Sequence, residues 1–477
     1  MFPGAEMIEF AKKRVLVVGL GSSGEAAARV LLELCARPVL IDSSYAPARV
    51  EAVGALREAG VEVRLGVSVP DDIGSFDLVV ASPGVPQGAP VLARSRHEGL
   101  KVVSELELGY RLLEENTFVA VTGTDGKTTT TRLVVAMLNR PGRRALECGN
   151  IGTPVVSLRG CVDSGDILVC EASSFQLQNI EKFRAKVSLV LNLAPDHFDW
   201  HENIEDYGRA KMRVIENMLP DDFLVYNADD SFCRQVASRA NGVTIGFSSS
   251  ESEEAAIRVV DGWIVTGAPL PQHRVLDTAG LKIAGSHNVE NVMAAAGAAL
   301  ILGEDPSRVR DAAYGFKGLE HRCERVAVVG GVSFYNDSKA TNPHAALSAV
   351  RSFSEPFVAI MGGRNKGLEF TELATAMRAR MDDGMLLGVV LLGESSQEIE
   401  DAIHKARGHD VNRRVVVASD MEDSVRKAYE MATSGASVLF APACASFDMF
   451  SDYKERGESF KAAVGMLEEG EMSGGAV

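Results

Sequence analysis

Residues 118–128 read FVAVTGTDGKT. An apolar run breaks at Thr122-Gly123 and passes through Gly126 to Lys127-Thr128. That order is a buried strand, a glycine turn and the start of a helix. Backbone N–H groups in such a turn cradle phosphate oxygens, helped by the helix dipole. The lysine reaches the outer phosphates and the threonine hydroxyl ligates Mg²⁺. The usual spacing would put a first glycine at the position of Val121, so only the core GxxGKT is present. A glycine-lysine pair in a surface turn is the plain alternative. The strand before it and the threonines after it favour phosphate binding.

Six further clusters could do chemistry. Gly19-Leu20-Gly21-Ser22-Ser23-Gly24 matches GxGxxG between a strand and a helix, with Asp42 at the end of the next strand. It reads as a dinucleotide-binding fingerprint or as a tight turn without a ligand. Glu171, in Cys170-Glu171-Ala172-Ser173-Ser174-Phe175-Gln176, ends an apolar run where it could complete an Mg²⁺ shell. The serines there could equally be a helix cap. Asp196-His197-x-Asp199 follows a strand, and Lys211 lies fourteen residues past His197 on a helix. A metal or phosphate role competes with a structural histidine and a solvated lysine. His321-Arg322 and the polar run of residues 336–342 would suit ribose, phosphate and carboxylate contacts, or form a solvated loop. Two glycine- or alanine-rich turns, GGRNKG (362–367) and PACASFD (442–448), follow strands and would let a backbone approach a ligand.

The elements that must carry these residues form an α/β chain. At 477 residues it exceeds one core. Residues 1–105 alternate apolar runs (14–19, 38–41, 78–81) with a helix at 24–34, giving a small βαβ domain with a parallel sheet. Residues 106–318 hold the GKT turn, strands at 167–170 and 188–191, a polar β-type region at 223–283 and an alanine-rich helix at 288–302. Residues 319–477 give a second α/β series, with strands at 357–361, 387–392, 415–418 and 438–440. The tail from 468 is polar and glycine-rich and reads as frayed. Net charge is −16, against general nucleic-acid binding, so an anionic substrate needs local cations. No apolar run approaches the ~20 residues of a membrane helix. The seven cysteines show no CxxC pair and read as reduced, mostly buried thiols of a cytoplasmic protein.

Taken in order, these segments resemble the Mur ligase family, from Gly19 to about Val464. GTDGKT, Glu171, His197, Asn288, Asn291, His321-Arg322 and residues 336–339 look like motifs of the whole superfamily. SSFQL (173–177), DSKATN (337–342), GGRNKG and PACASFD look particular to its D-glutamate-adding members. The resemblance implies three domains: an N-terminal Rossmann-like domain, a central P-loop ATPase-like domain with a parallel sheet, and a C-terminal Rossmann-like domain. It implies an ATP-dependent, amide-forming ligase that adds D-glutamate to UDP-N-acetylmuramoyl-L-alanine through an acyl phosphate. The expected setting is cytoplasmic peptidoglycan precursor synthesis, by a monomer, with neither nucleic acid nor membrane as partner.

Residue roles follow from the same resemblance. The GxGxxG turn is reassigned from dinucleotide to substrate: Gly19, Ser22, Ser23, Asp42 and Gly84 would face uridine or diphosphate, with Asn150, Ser173 and Gln176 on the same substrate. Gly123, Thr124, Asp125, Gly126, Lys127, Thr128 and Thr129 would form the ATP loop. Asn288 and Asn291 would sit near adenine, Arg322 near the γ-phosphate and Asp337 on the ribose. Thr128 and Glu171 would hold one Mg²⁺; His197 and a carbamylated Lys211 would build a second site. Lys127, His197, Lys211 and Arg322 would carry the catalysis. Lys339, Thr341, Lys366, Ser446 and Phe447 would bind D-glutamate. Asp125 departs from the asparagine usual in the family, and Ser43-Ser44 replace an arginine that some relatives place after the aspartate.

Overall fold

The computed structural model describes the chain except residues 1–8, 45–49, 199, 251–254, 284, 354, 408–414 and 475–477. Asp199 therefore lies outside the described residues. Two compact units result: one of Met1–Leu193, Trp200–Thr278 and Glu290–Ala313, the other of Ala194–Asp199, Ala279–Val289 and Tyr314–Val477.

The first unit contains two sheets. Strands β1 (Arg14–Val18), β2 (Arg37–Asp42), β3 (Glu62–Leu65), β4 (Leu78–Ala81) and β5 (Val102–Ser104) are all parallel, in the order β3-β2-β1-β4-β5. Helices α1 (Ser22–Glu33), α2 (Val50–Glu58), α3 (Pro90–His97) and α4 (Glu105–Leu112) alternate with them. Val15 to Val18 are all buried, as expected for a parallel strand covered on both faces. Each such side chain contributes roughly 1.5–3 kcal/mol. The order reverses between β1 and β4, and a crevice opens at the carboxyl ends there.

The second sheet comprises β6 (Thr117–Thr122), β7 (Ala145–Gly149), β8 (Ile167–Glu171), β9 (Val187–Val190), β10 (Phe223–Asn227), β11 (Val243–Ser248), β12 (Ile257–Val260), β13 (Trp263–Thr266) and β14 (His273–Asp277). Its order is β14-β13-β12-β11-β10-β9-β6-β8-β7, antiparallel only among the last three strands in sequence. The helices that follow its strands are α5 (Lys127–Leu138), α6 (Ser174–Leu177), α7 (Ile204–Met212), α8 (Ser231–Ala237), α9 (Ser286–Ile301) and α10 (Pro306–Gly315). Strand β6 lies between β8 and β9, so the turns after these three strands meet at one edge.

The sheet of the second unit comprises β15 (Glu324–Val329), β16 (Val332–Asn336), β17 (Phe357–Met361), β18 (Leu386–Leu391), β19 (Val415–Val417) and β20 (Ser437–Phe440). Its order is β15-β16-β20-β17-β18-β19, and only β15 is antiparallel. Helices α11 (Pro343–Ser352), α12 (Thr371–Asp382), α13 (Ser396–Arg407), α14 (Met421–Met431) and α15 (Tyr453–Gly474) pack with it. The expected frayed tail is a correction: α15 continues to Gly474. Phe460, Ala463 and Val464 bury the apolar side of its earlier turns, with Leu467 packed beside them, and residues 475–477 lie outside the described residues. Residues 194–199 group with this unit, where the Asp196 carboxylate accepts from Asn342 Nδ2 at 2.9 Å and lies 3.7 Å from Lys366 Nζ.

Candidate active site

The phosphate-loop candidate lies where β6 gives way to α5. Gly126 is the N-cap of α5 in a left-handed conformation, φ 81°. A Cβ there would stand 2.2 Å from Asn291 Oδ1, so only glycine fits. Asn192, past the end of β9, shapes the loop. Its Oδ1 accepts from Thr124 N at 3.0 Å and Asp125 N at 2.8 Å, and its Nδ2 donates to Asp125 O at 3.3 Å. The Lys127 ammonium donates to Gly123 O and Thr124 O at 2.9 and 2.7 Å. Thr129 is buried in the first turn of α5, and Thr130 Oγ donates to Asn291 Oδ1 at 3.2 Å. Asn288 and Asn291 lie one turn apart in α9.

Glu171 ends β8 and is 2% exposed. Its carboxylate accepts from Thr128 Oγ at 2.8 Å and from Asn150 Nδ2 at 2.9 Å. These hard oxygen donors beside a lysine-threonine loop suit Mg²⁺, which keeps most of its waters and takes phosphate oxygens as ligands. Among the described residues no three His, Cys, Asp or Glu side chains converge on a ready cage. The solvated-lysine alternative for Lys211 does not hold. The side chain is 1% exposed, its ammonium donates to Gly123 O at 2.6 Å and lies 4.3 Å from the Tyr207 ring centre. Asn203 caps α7, which begins at Ile204 and gives way to a 3₁₀ turn at Arg213–Ile215. His197 belongs to the second unit. It adopts φ 56° and its ring nitrogen lies 3.6 Å from Asp196 Oδ2.

A cavity of about 720 Å³ occupies the crevice of the first sheet. Gly19, Ser22, Ser23, Asp42, Gly84 and Asn150 all line it. The first turn of α1 needs Gly24, because a Cβ there would sit 2.0 Å from Gly19 O. Both Asp42 oxygens are engaged, accepting from Leu20 N at 2.7 Å and Ser44 N at 2.8 Å, so this carboxylate shapes the wall. Ser173 and Gln176 are not among the lining residues. They form a reciprocal capping box that starts α6.

In the second unit, turns after β16, β17 and β20 lie side by side at one sheet edge. Asp337 N donates to Phe440 O at 2.8 Å, Gly362 N to Pro442 O at 2.8 Å, and Arg364 N to Ala445 O at 2.9 Å. Asp337 Oδ1 accepts from Cys323 N at 3.1 Å, next to the half-buried Arg322. Lys339 Nζ lies 3.8 Å from the Tyr453 ring centre, while Thr341 N donates to Lys339 O. Ser446 is buried and Phe447 is 62% exposed. His321 is buried against Asn336, which pushes its imidazole below the ordinary range. Arg456 was not legible in the sequence as part of this edge. Its guanidinium donates to Ser338 Oγ and O at 3.1 and 2.8 Å and to Cys444 O at 3.0 Å, tying two turns together. Burial pushes it down to about 10. No local motif marks it; only its place on α15 does.

Three family models match this chain in succession: "Mur ligase MurD-like, N-terminal domain" over 13–104, "Mur ligase middle domain" over 121–299 and "Mur ligase, glutamate ligase domain" over 321–444. The chain belongs to the Mur ligase family. Among curated relatives, the UDP-N-acetylmuramoylalanine--D-glutamate ligase of Caldanaerobacter subterraneus subsp. tengcongensis is 37% identical over 96% of this chain and 99% of its own length. The protein of the same name from Pelotomaculum thermopropionicum is 39% identical over 97% and 99%. Among solved structures, the MurF ligase of Thermotoga maritima in complex with ADP shares the fold at TM-score 0.59 and 17% identity, over 98% of this chain and 97% of its own. A pseudomurein peptide ligase type C from Methanothermus fervidus does so at TM-score 0.58 and 16%, over 96% and 100%.

Proposed function

We propose that this protein is an ATP-dependent ligase that joins D-glutamate to UDP-N-acetylmuramoyl-L-alanine in cytoplasmic peptidoglycan precursor synthesis. The observation that carries the reading is the near full-length relationship to curated D-glutamate ligases. The ordered site motifs support it. The domain boundaries we adopt are 1–105, 106–318 and 319–477.

The substrate carboxylate attacks the γ-phosphorus of ATP, and the bond to the β-phosphate oxygen breaks. ADP leaves and an acyl phosphate remains. The amine of D-glutamate attacks the acyl carbon, loses a proton and expels phosphate. Negative charge spreads over the transferring phosphoryl oxygens, so positioning and electrostatics do most of the work. Lys127 of the loop would neutralise that charge, and Arg322 is the further cation we assign to it. Mg²⁺, when bound, screens phosphate oxygens and orients them. Thr128 and Glu171 would hold one such ion, and His197 and a carbamylated Lys211 are the further residues we assign to metal binding. Asn288, Asn291 and Asp337 recognise the nucleoside of ATP. The cavity of the first sheet takes the UDP moiety through Gly19, Ser22, Ser23, Asp42, Gly84 and Asn150, with Ser173 and Gln176 behind the reacting end. Lys339, Thr341, Lys366, Ser446 and Phe447 bind D-glutamate, the two ammonium groups pairing with its carboxylates.

The test is phosphate release with ATP, Mg²⁺ and UDP-N-acetylmuramoyl-L-alanine, each amino acid being offered in turn. Release only with D-glutamate is expected. Release with a different amino acid, or none with any, would refute the assignment.

A further inference from the structure

A buried histidine outside the assigned site bridges two elements that carry it. His201 is 1% exposed. Its Nδ1 lies 3.0 Å from Asp206 Oδ2 and its Nε2 lies 2.9 Å from Ser174 Oγ. Ser174 opens α6, three residues past Glu171. Asp206 is in the first turn of α7, the helix whose last turn holds Lys211. The ring is stacked with Phe175 at 5.8 Å and 13°, and tilted against Tyr207 at 5.0 Å. Tyr207 is the ring beneath the Lys211 ammonium.

The proton positions follow from the partners. Burial raises the Asp206 carboxyl, but the hydrogen bond and charge of His201, followed by those of Arg209, outweigh it and leave the group below its ordinary value. Asp206 is thus a carboxylate and can only accept, so Nδ1 carries a proton. In a neutral ring Nε2 then accepts from the Ser174 hydroxyl. Both nitrogens are used and two aromatic rings pack against the imidazole, which fixes its orientation. The serine–histidine–aspartate order resembles a hydrolase triad. The serine is 2% exposed, however, and no substrate atom can approach it.

We propose that His201 is a positioning residue, which locks α7 and its Lys211 to the strand end that carries Glu171. A displacement of about 1 Å in such a site costs on the order of 10²-fold in rate. The inference rests on the roles proposed for Glu171 and Lys211.

Four variants test it: His201→Phe, which keeps the stacking without either nitrogen; His201→Asn, which returns a donor near Nδ1; Ser174→Ala; and His201→Phe with Ser174→Ala. For His201→Phe, kcat should fall about 30–100-fold while KM for ATP, the UDP substrate and D-glutamate each stay within about threefold. His201→Asn should recover part of the loss. Adding Ser174→Ala to His201→Phe should cost nothing more, because one relay is already broken. Nitrogen NMR of the wild type should show the Nδ1-protonated ring. Wild-type kcat in His201→Phe, strictly multiplicative losses in the double variant, or a uniform loss of kcat, KM and melting temperature with Ser174→Ala fully active would overturn the proposal. Lys211→Ala separates the two levels. If it is fully active, the site assignment itself fails; if it is inactive while His201→Phe is not, only the relay fails.

Discussion

Lys127 and Lys211 both donate to the carbonyl oxygen of Gly123, at 2.9 and 2.6 Å. Two ammonium groups thus converge on one loop carbonyl. Lys127→Ala should lower kcat by about 10²–10³-fold, roughly 3–4 kcal/mol of lost transition-state stabilisation, and leave the melting temperature near that of the wild type. Steady-state kinetics beside a thermal melt checks this, and near wild-type turnover would remove the phosphate-loop assignment. Lys211 poses a sharper question. An ammonium would be repelled by Mg²⁺. Reaction of the amine with CO₂ forms an N–C bond, releases a proton and leaves an anionic oxygen ligand of the kind Mg²⁺ prefers. Lys211→Ala should be nearly inactive and should regain activity when short carboxylic acids are added. Full activity of this variant without them would end the carbamate proposal.

At the scale of elements, α4 carries an unusual burden. Glu105 opens it and is fully buried. One carboxyl oxygen accepts from Val156 N at 2.8 Å, while the other has no hydrogen-bond partner among the described residues. Burial pushes this carboxyl up to about 7 from 4.5. A raised carboxyl binds its proton more tightly in the fold than in the unfolded chain. Its contribution to stability is therefore complete below pH 4.5 and is lost as pH rises through about 7. The loss is at most about 3 kcal/mol. Glu105→Gln keeps the shape and the acceptor without the charge. Thermal melts should show the variant more stable than wild type at pH 8 and equal to it near pH 4. Equal melting at pH 8 would show that the buried carboxylate costs the fold nothing. The α15 helix bears a different load, since Arg456 holds Ser338 and Cys444 from one side chain. Arg456→Met would leave those carbonyls short of donors, and we expect a loss of about 1–3 kcal/mol on denaturant unfolding.

Across the whole molecule, each sheet presents its candidate residues at the carboxyl ends of parallel strands, where crossover connections leave a crevice. The substrates should accordingly be separable by mutation. Asp42→Ala, which frees Leu20 N and Ser44 N in the wall of the cavity, should raise KM for the UDP substrate and leave KM for ATP nearly unchanged. Lys339→Ala and Ser446→Ala should raise KM for D-glutamate selectively. Kinetics with one substrate varied at a time checks both. An equal rise for ATP in either set would show that the loops serve the nucleotide.

How much of this was legible without coordinates depends on the range of the forces involved. The GTDGKT turn, the strand ends at Glu171 and Asp42, and the alternation of strand and helix rest on local propensity and short-range turn chemistry, and a linear reading reaches them. The cation on the loop was legible for the same reason, as Lys127 starts its own helix. The fate of Lys211 was not. An amphipathic lysine on a polar helix is solvated by default, and only packing against Tyr207 and Gly123, 88 residues away, buries it. The end of α15 read as frayed because composition counts glycine and charge but not the surface that Phe460, Val464 and Leu467 cover. His201 and Arg456 escaped notice because single polar residues carry no pattern. Their partners lie 27 and 118 residues away, and long-range hydrogen bonds in a low-dielectric interior gain their strength only once folding has excluded water. The amino-acid order by itself determined the chemistry present at each turn. The tertiary structure decided which of those groups are held, by what, and in which orientation.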